Sequence, residues 1–234
     1  MLAVGGAHPP AGDAIRAAVP RPEPRAWSSF VLPGKRPTTY QHVLFDGRPA
    51  IRAQADGSAS MYRQRLTLEQ AQIGSIEFSW WVPALMAGAD LSDRERADSP
   101  VRVVLAFDGD LSRLSRKDRL MFELAETLTG ESPPYATLMY VWDTRSPPET
   151  VIPGGRSDRI RKIVVDSGPM HLKSWRHHRR DIARDFERAF GESPGRLIGV
   201  ALMTDSDNTA SRVNAIYGSL MLTTPYGQVR SFDE

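Results

Sequence analysis

The stretch Ser75-Ile76-Glu77-Phe78-Ser79-Trp80-Trp81-Val82 decides the fold. Apolar residues fall at every second position. Ile76, Phe78, Trp80 and Val82 therefore share one face, and Glu77, Ser79 and Trp81 share the other, as a half-buried strand requires. Similar short runs follow one another along the chain, at residues 42–45, 50–55, 58–66, 101–107, 136–142, 160–166, 197–203 and 215–222. Asp46-Gly47 between the first two is a hairpin signal. Two segments break the pattern with helical spacing. One covers 115–128, with Leu120, Met121, Leu124 and Leu128. The other covers 177–190, with Ile182, Phe186 and Phe190 ahead of the stop signal Gly191. Many short strands with two peripheral helices predict a mainly β protein, an antiparallel β-sandwich rather than a parallel sheet with crossover helices.

The 234 residues allow one large domain. Prolines 9, 10, 20, 22 and 24 disfavour regular structure in residues 1–26, which read as a leader. The sandwich is predicted over 27–226, and 227–234 reads as a tail. Hydrophobic residues make up 41% and charged residues 25%, the balance of a globular protein. The net charge of +2 gives no footing for nucleic acid. Cysteine is absent, which excludes disulfides, thiolate metal sites and a cysteine nucleophile. No run is long and apolar enough to span a membrane. Phosphate loops, nucleophile elbows and dinucleotide fingerprints are also missing.

The polar connection Thr204-Asp205-Ser206-Asp207-Asn208-Thr209 lies between two strand-like runs, where rigid scaffolds commonly present binding groups. It has two readings: a turn whose carboxylates cap backbone amides, or a ligand site. Asp205 and Asp207 have the i, i+2 spacing of metal loops without the rest of an EF-hand. Calcium is the cation their oxygens suit, and no other cofactor is expected. Asp205 adjoins the strand and takes the structural role; Asp207, with Asn208, takes the ligand contact. Trp81 is the outward ring of its strand, either a packing residue or a platform on which a sugar stacks. Tyr140 and Trp142 share a face and pose the same choice. Acid–base hydrolysis would need two carboxylates across a substrate, drawn from Glu77, Asp98, Asp205 and Asp207. For Glu77 an ion pair with Arg102 on a neighbouring strand competes with that role. Arg180 and Asp185 read as a structural pair, with Arg180 able to hold the aspartate loop. The basic run at 175–180 has two readings, an anion site or a solvated helix start, and the second is the expectation.

Taken in order, Ser58-Ala59-Ser60, Phe78-Ser79-Trp80, Val165-Asp166-Ser167-Gly168, Trp175, Asp185-Phe186, Phe190-Gly191 and the 203–209 element resemble the bacterial DUF3047 family, whose function is uncharacterised. The chain departs from the family at Phe78-Ser79-Trp80, where Trp-x-Trp is common, and at Asp98-Ser99, where paired aspartates are common. The resemblance implies a jelly-roll-like sandwich similar to carbohydrate-binding domains, and export to the periplasm or beyond. It supplies no catalytic residues. Three functions follow as expectations. The first is a non-catalytic binding module for a glycan or similar polar ligand. The second is a glycan-processing hydrolase using carboxylates near the aspartate loop. The third is a structural or protein-interaction domain.

Overall fold

The computed structural model describes residues 27–155 and 157–231, except for the side chains of 228–231. The leader read at 1–26 lies outside the described residues. Among the described residues, thirteen strands form two sheets: β1 Ser28–Val31, β2 Thr39–Phe45, β3 Arg48–Asp56, β4 Ala59–Leu68, β5 Ser75–Trp81, β6 Ser99–Phe107, β7 Ala136–Asp143, β8 Val151–Pro153, β9 Ile160–Ser167, β10 Trp175–Asp181, β11 Leu197–Asp205, β12 Arg212–Thr224 and β13 Gly227–Ser231. Sheet A has the order β1-β4-β11-β6-β7-β9-β8. Sheet B has the order β10-β5-β12-β3-β2, with β13 added to β12. Neighbours are antiparallel except β7 and β9, which run parallel. The architecture is the predicted jelly-roll-like β-sandwich. The segment read as a tail from 227 instead pairs with β12 and extends sheet B.

The alternation read in β5 places its side chains as predicted. Ile76, Phe78, Trp80 and Val82 enter the core, and Trp80 is 0% exposed. They meet Val103, Leu105, Leu138 and Ile163 of sheet A, with Tyr217 and Leu222 of β12 beside them. The β2–β3 hairpin turns through Asp46 and Gly47, both at positive φ. That is the two-residue turn an Asp-Gly pair favours, because its twist matches the flanking strands.

Two helices complete the fold, α1 at Arg116–Thr129 and α2 at Ile182–Phe190. In α2, Asp181 caps the first turn by accepting from the Arg184 amide, and Gly191 closes the last turn at φ +71°. Ile182 and Phe186 fill the sandwich edge, with Phe186 4.6 Å from Phe107. The segment predicted as one helix over 177–190 is therefore half strand. Residues 175–181 pair along β5 in continuous antiparallel register. The other helix keeps its predicted place, but Leu120, Leu124 and Leu128 face solvent, and its buried residue is Asp118. Asp118 exchanges hydrogen bonds with Ser115 and accepts one from Ser157 at 2.7 Å. No helix among the described residues is long and apolar enough to cross a membrane.

Candidate functional site

The aspartate loop joins β11 to β12 at one end of the sandwich. Asp205, the last residue of β11, points to the outer face of sheet A and is 6% exposed. Arg102 of the adjacent β6 points the same way and binds it bidentately, Nε to Oδ1 at 3.0 Å and Nη2 to Oδ2 at 2.7 Å. The Ser99 amide adds a third donor at 2.9 Å. Burial pushes the Asp205 carboxyl above its ordinary pKa, and the Arg102 guanidinium works against that rise. The fork geometry suits a buried pair, because both oxygens are satisfied as the charge is taken out of water.

Asp98 is 2% exposed and faces the loop. It accepts from the amides of Asn208 at 3.2 Å and Thr209 at 2.7 Å, and from Thr209 Oγ1 at 2.6 Å. It therefore acts as an intramolecular cap on the loop. Asp207 is partly exposed and pairs with Lys35. Asn208 is exposed, and its side-chain amide donates to the Arg94 carbonyl at 3.2 Å. Oxygens of Asp98, Asp205 and Asp207 lie within 4.8 Å of one another, so these three residues are the set that could hold a cation. Arg102 and Lys35 already supply positive charge to two of them. The carboxylates proposed from sequence as an acid–base pair do converge, but Asp98 and Asp205 are sealed by protein donors.

A hydroxyl network backs the loop and joins the sheets. Tyr217 of β12 donates to the Met203 carbonyl at 2.7 Å, accepts from the Arg102 amide at 3.2 Å, and shares a 2.9 Å hydrogen bond with Thr204 Oγ1. Lys162, on the outer face of β9, is 6% exposed and donates to the Leu91 carbonyl at 3.1 Å. Burial and the nearby Arg102 lower its pKa to about 8, with Asp205 and Asp143 working in the opposite direction. Sequence reasoning missed this lysine, because a basic residue in a strand ordinarily reads as a solvated position.

The aromatic residues divide by face. Tyr140 and Trp142 share a side of β7, as their spacing requires, but that side is the core. They are 0% and 1% exposed, and neither can serve as a ligand platform. Tyr140 donates its hydroxyl to Asp185 at 2.9 Å, and Trp142 donates its indole N–H to the Gly168 carbonyl at 3.0 Å. The reason is the position of β7 inside sheet A, where apolar bulk on the inner face is worth more than exposure.

Trp81 does point outward, on the solvent side of sheet B, and is half-buried. It is joined there by two rings that sequence reasoning did not assign. Trp175 stands opposite Trp81 in the β10–β5 register. Phe45 lies 4.9 Å from Trp81 and 5.8 Å from Trp175. Trp175 reaches across the sheet to give its indole N–H to Asp46 at 3.2 Å. It can do so because β12 carries Gly218 beneath it: a Cβ there would approach the indole to 2.9 Å. Arg48 lies 5.8 Å from the Trp175 ring centre, and exposed His177 stands on the adjoining outward position of β10. Phe45 sits beside a turn that the sequence marks, but its face became visible only once β2 was paired.

Glu77 also faces outward. It pairs with Arg179 on β10 at 3.2 Å, not with Arg102 as predicted, since β5 and β6 belong to different sheets. Along β10 the inward positions are Arg176, His178 and Arg180, and each meets a carboxylate. Asp166 accepts from Arg176 Nε at 2.9 Å and Trp80 Nε1 at 2.8 Å, and its Oδ2 lies 2.7 Å from His178 Nε2. Burial alone would raise the Asp166 pKa, but these partners hold it below the ordinary value. Arg180 binds Asp185 and Glu149, so it is not free to hold the aspartate loop. This row fastens the edge strand to the sandwich.

The family model for DUF3047, a protein family of unknown function, matches residues 25–221, and the chain belongs to that family. No curated protein is recognisably similar to it. Among solved structures it is similar to the xyloglucanase domain of NopAA, a type three effector from Sinorhizobium fredii, in complex with cellobiose. The identity is 10% and the TM-score 0.45, over 85% of this chain and 92% of that chain.

Proposed function

We propose that the chain is a non-catalytic binding module for a glycan or similar polar ligand, and that its ligand lies on the outer face of sheet B. One observation carries this reading: Trp81, Trp175 and Phe45 cluster on a solvent-facing sheet surface, where polar side chains are the ordinary occupants. Large rings left half in water on a rigid sheet mark an interaction surface. A sugar ring has an apolar C–H face that can lie on an aromatic ring, and hydroxyls around its edge that need polar partners. Asp46 and His177, both beside Trp175, offer such partners. The hydrolase reading has less support, because Asp98 and Asp205 are both engaged by donors within the fold.

A glycan array probed with the intact chain tests the reading, followed by titration of any hit against intrinsic tryptophan fluorescence. Trp175→Ala is expected to weaken binding by roughly tenfold or more, as removal of an aromatic anchor does, with a thermal melt to confirm folding. Binding that survives both Trp81→Ala and Trp175→Ala would place the ligand elsewhere. Release of shortened products from a bound chain would favour the hydrolase instead.

A further inference from the structure

The charges around the three rings are unevenly matched. Arg48 and Arg52 project from β3 onto the same outer face of sheet B. Arg48 stands opposite Phe45, and Arg52 stands opposite Gln41 on one side and Ile216 on the other; Ile216 in turn pairs with Trp81. Both arginines are exposed. Arg52 donates to the Gln41 side-chain oxygen at 2.7 Å, and Arg48 lies over Trp175. Among the described residues neither has a carboxylate partner. Acids on this face are otherwise committed: Asp46 accepts the Trp175 indole N–H, Glu77 holds Arg179, and Asp56 holds Arg212. His177 adds a further basic group beside Trp175. Other exposed arginines divide: Arg65 holds Glu131 and Arg196 holds Asp108, whereas Arg116 and Arg184 have no acid partner among the described residues; what sets Arg48 and Arg52 apart is their place beside the rings. Two guanidiniums bordering an aromatic platform therefore present unfilled forks for a planar or tetrahedral anion.

We propose that the ligand of this face is an anionic polysaccharide, its sugar rings on Trp81, Trp175 and Phe45 and its carboxylate or sulfate groups on Arg48 and Arg52. The proposal rests on the binding-module reading and narrows its ligand class. A neutral chain would use the rings and leave both guanidiniums in water. A uronate or sulfated chain would use both sets of groups at once.

The test uses the intact chain and three probes of matched length: a neutral β-glucan hexasaccharide, a uronate hexasaccharide and a sulfated hexasaccharide. Each is titrated at low and at physiological salt. At least one anionic probe is expected to bind about tenfold or more tightly than the neutral one, the effect of one charge-assisted hydrogen bond or more. The doubly substituted Arg48→Gln, Arg52→Gln chain should lose that advantage while keeping its affinity for the neutral probe. Trp175→Ala should weaken the anionic probe as well. Tight binding of the uronate alone assigns carboxylate, of the sulfated probe alone assigns sulfate, and of both supports a site for either. Equal affinity for all three probes, or an anionic preference untouched by the double substitution, overturns the proposal and leaves the glycan reading standing. An anionic preference insensitive to Trp175→Ala shows adhesion by charge alone and also overturns it. Failure of both anionic probes to bind overturns the proposal, while the glycan reading stands or falls on the array.

Discussion

At the residue scale, the two aspartates of the loop differ in what surrounds them. Among the described residues Asp205 is the carboxylate that pairs with Arg102, and both are buried. Asp205→Ala strands a guanidinium in the interior and is expected to cost roughly 3–5 kcal/mol in a denaturant melt. Asp207 pairs with Lys35, whose side chain reaches water, and it is less enclosed than Asp205, so Asp207→Ala should cost clearly less than Asp205→Ala, about 1–2 kcal/mol. Equal losses would mean that the loop is one structural unit. Calcium is expected to leave the parent's Tm unchanged, because Arg102 and Lys35 already neutralise two of the three acids. A calcium-dependent rise that Asp207→Ala abolishes would instead assign a cation site to Asp98, Asp205 and Asp207. Lys162 gives a pH prediction. Its folded pKa of about 8 lies below the unfolded value, so the fold carries the full burden of a buried charge below pH 8. Between about pH 8 and 10 the folded chain gives up this proton while the unfolded chain keeps it, and stability rises with pH. Lys162→Met should stabilise the protein by roughly 1–2 kcal/mol at pH 7, with the gain shrinking across that window. A pH-independent difference between the two chains would show that the lysine is not held as described.

At the element scale, β10 is fastened to the sandwich by polar contacts of its inward residues. Asp166 gathers Trp80, Arg176 and His178, joining β9 of one sheet to β5 and β10 of the other. Asp166→Asn is expected to raise amide exchange along β10 well before it does so in the central strands β6 and β11. The same carboxylate predicts an acid response. Its folded pKa is depressed, so its contribution is complete above the unfolded aspartate value near pH 4 and is lost as pH falls through the lower folded value. Acid should free β10 first in the parent and have little further effect on it in Asp166→Asn. Uniform loss across the sheets would count against this view. The same strand shows where sequence reading reaches its limit. β5 was legible because its inward residues are apolar. β10 was not, because its inward residues are Arg176, His178 and Arg180, whose burial makes sense only once Asp166, Asp185 and Glu149 are in place. Its period of two is carried by charge, and a scan for apolar alternation passes over it. Leu120, Leu124 and Leu128 mislead in the opposite way: their spacing is that of a buried stripe, yet α1 presents them to water. For the site, the outward placement of Trp81 followed from alternation, but its company depends on pairings between strands distant in the chain: β10 with β5 brings Trp175, and β2, β3, β12 and β5 side by side bring Phe45.

At the scale of the whole molecule, two sheets share one apolar core, and Tyr217 is one of the polar ties between them at the aspartate end. Its ring belongs to β12 of sheet B, and its hydroxyl meets the Met203 carbonyl, the Arg102 amide and Thr204 Oγ1, all in sheet A. Tyr40, from β2 of sheet B, makes a parallel link by donating to the Ser60 carbonyl at 2.7 Å and accepting from the Thr204 amide at 3.1 Å. Both hydroxyls are pushed above the ordinary tyrosine pKa, by burial first, so they remain protonated donors throughout the neutral range. Tyr217→Phe keeps the ring and removes the tie. It leaves the buried Arg102 amide without its acceptor and the Met203 carbonyl without this donor. The expected cost is roughly 1–3 kcal/mol. If the single core makes the sandwich one cooperative unit, the loss should lower the protection of slowly exchanging amides in β6 and β11 of sheet A and in β5 and β12 of sheet B by the same free energy. A drop confined to one sheet would show that the sheets open separately. The outer face of sheet B would then be able to loosen, with its aromatic platform, while the buried acids of sheet A stay closed.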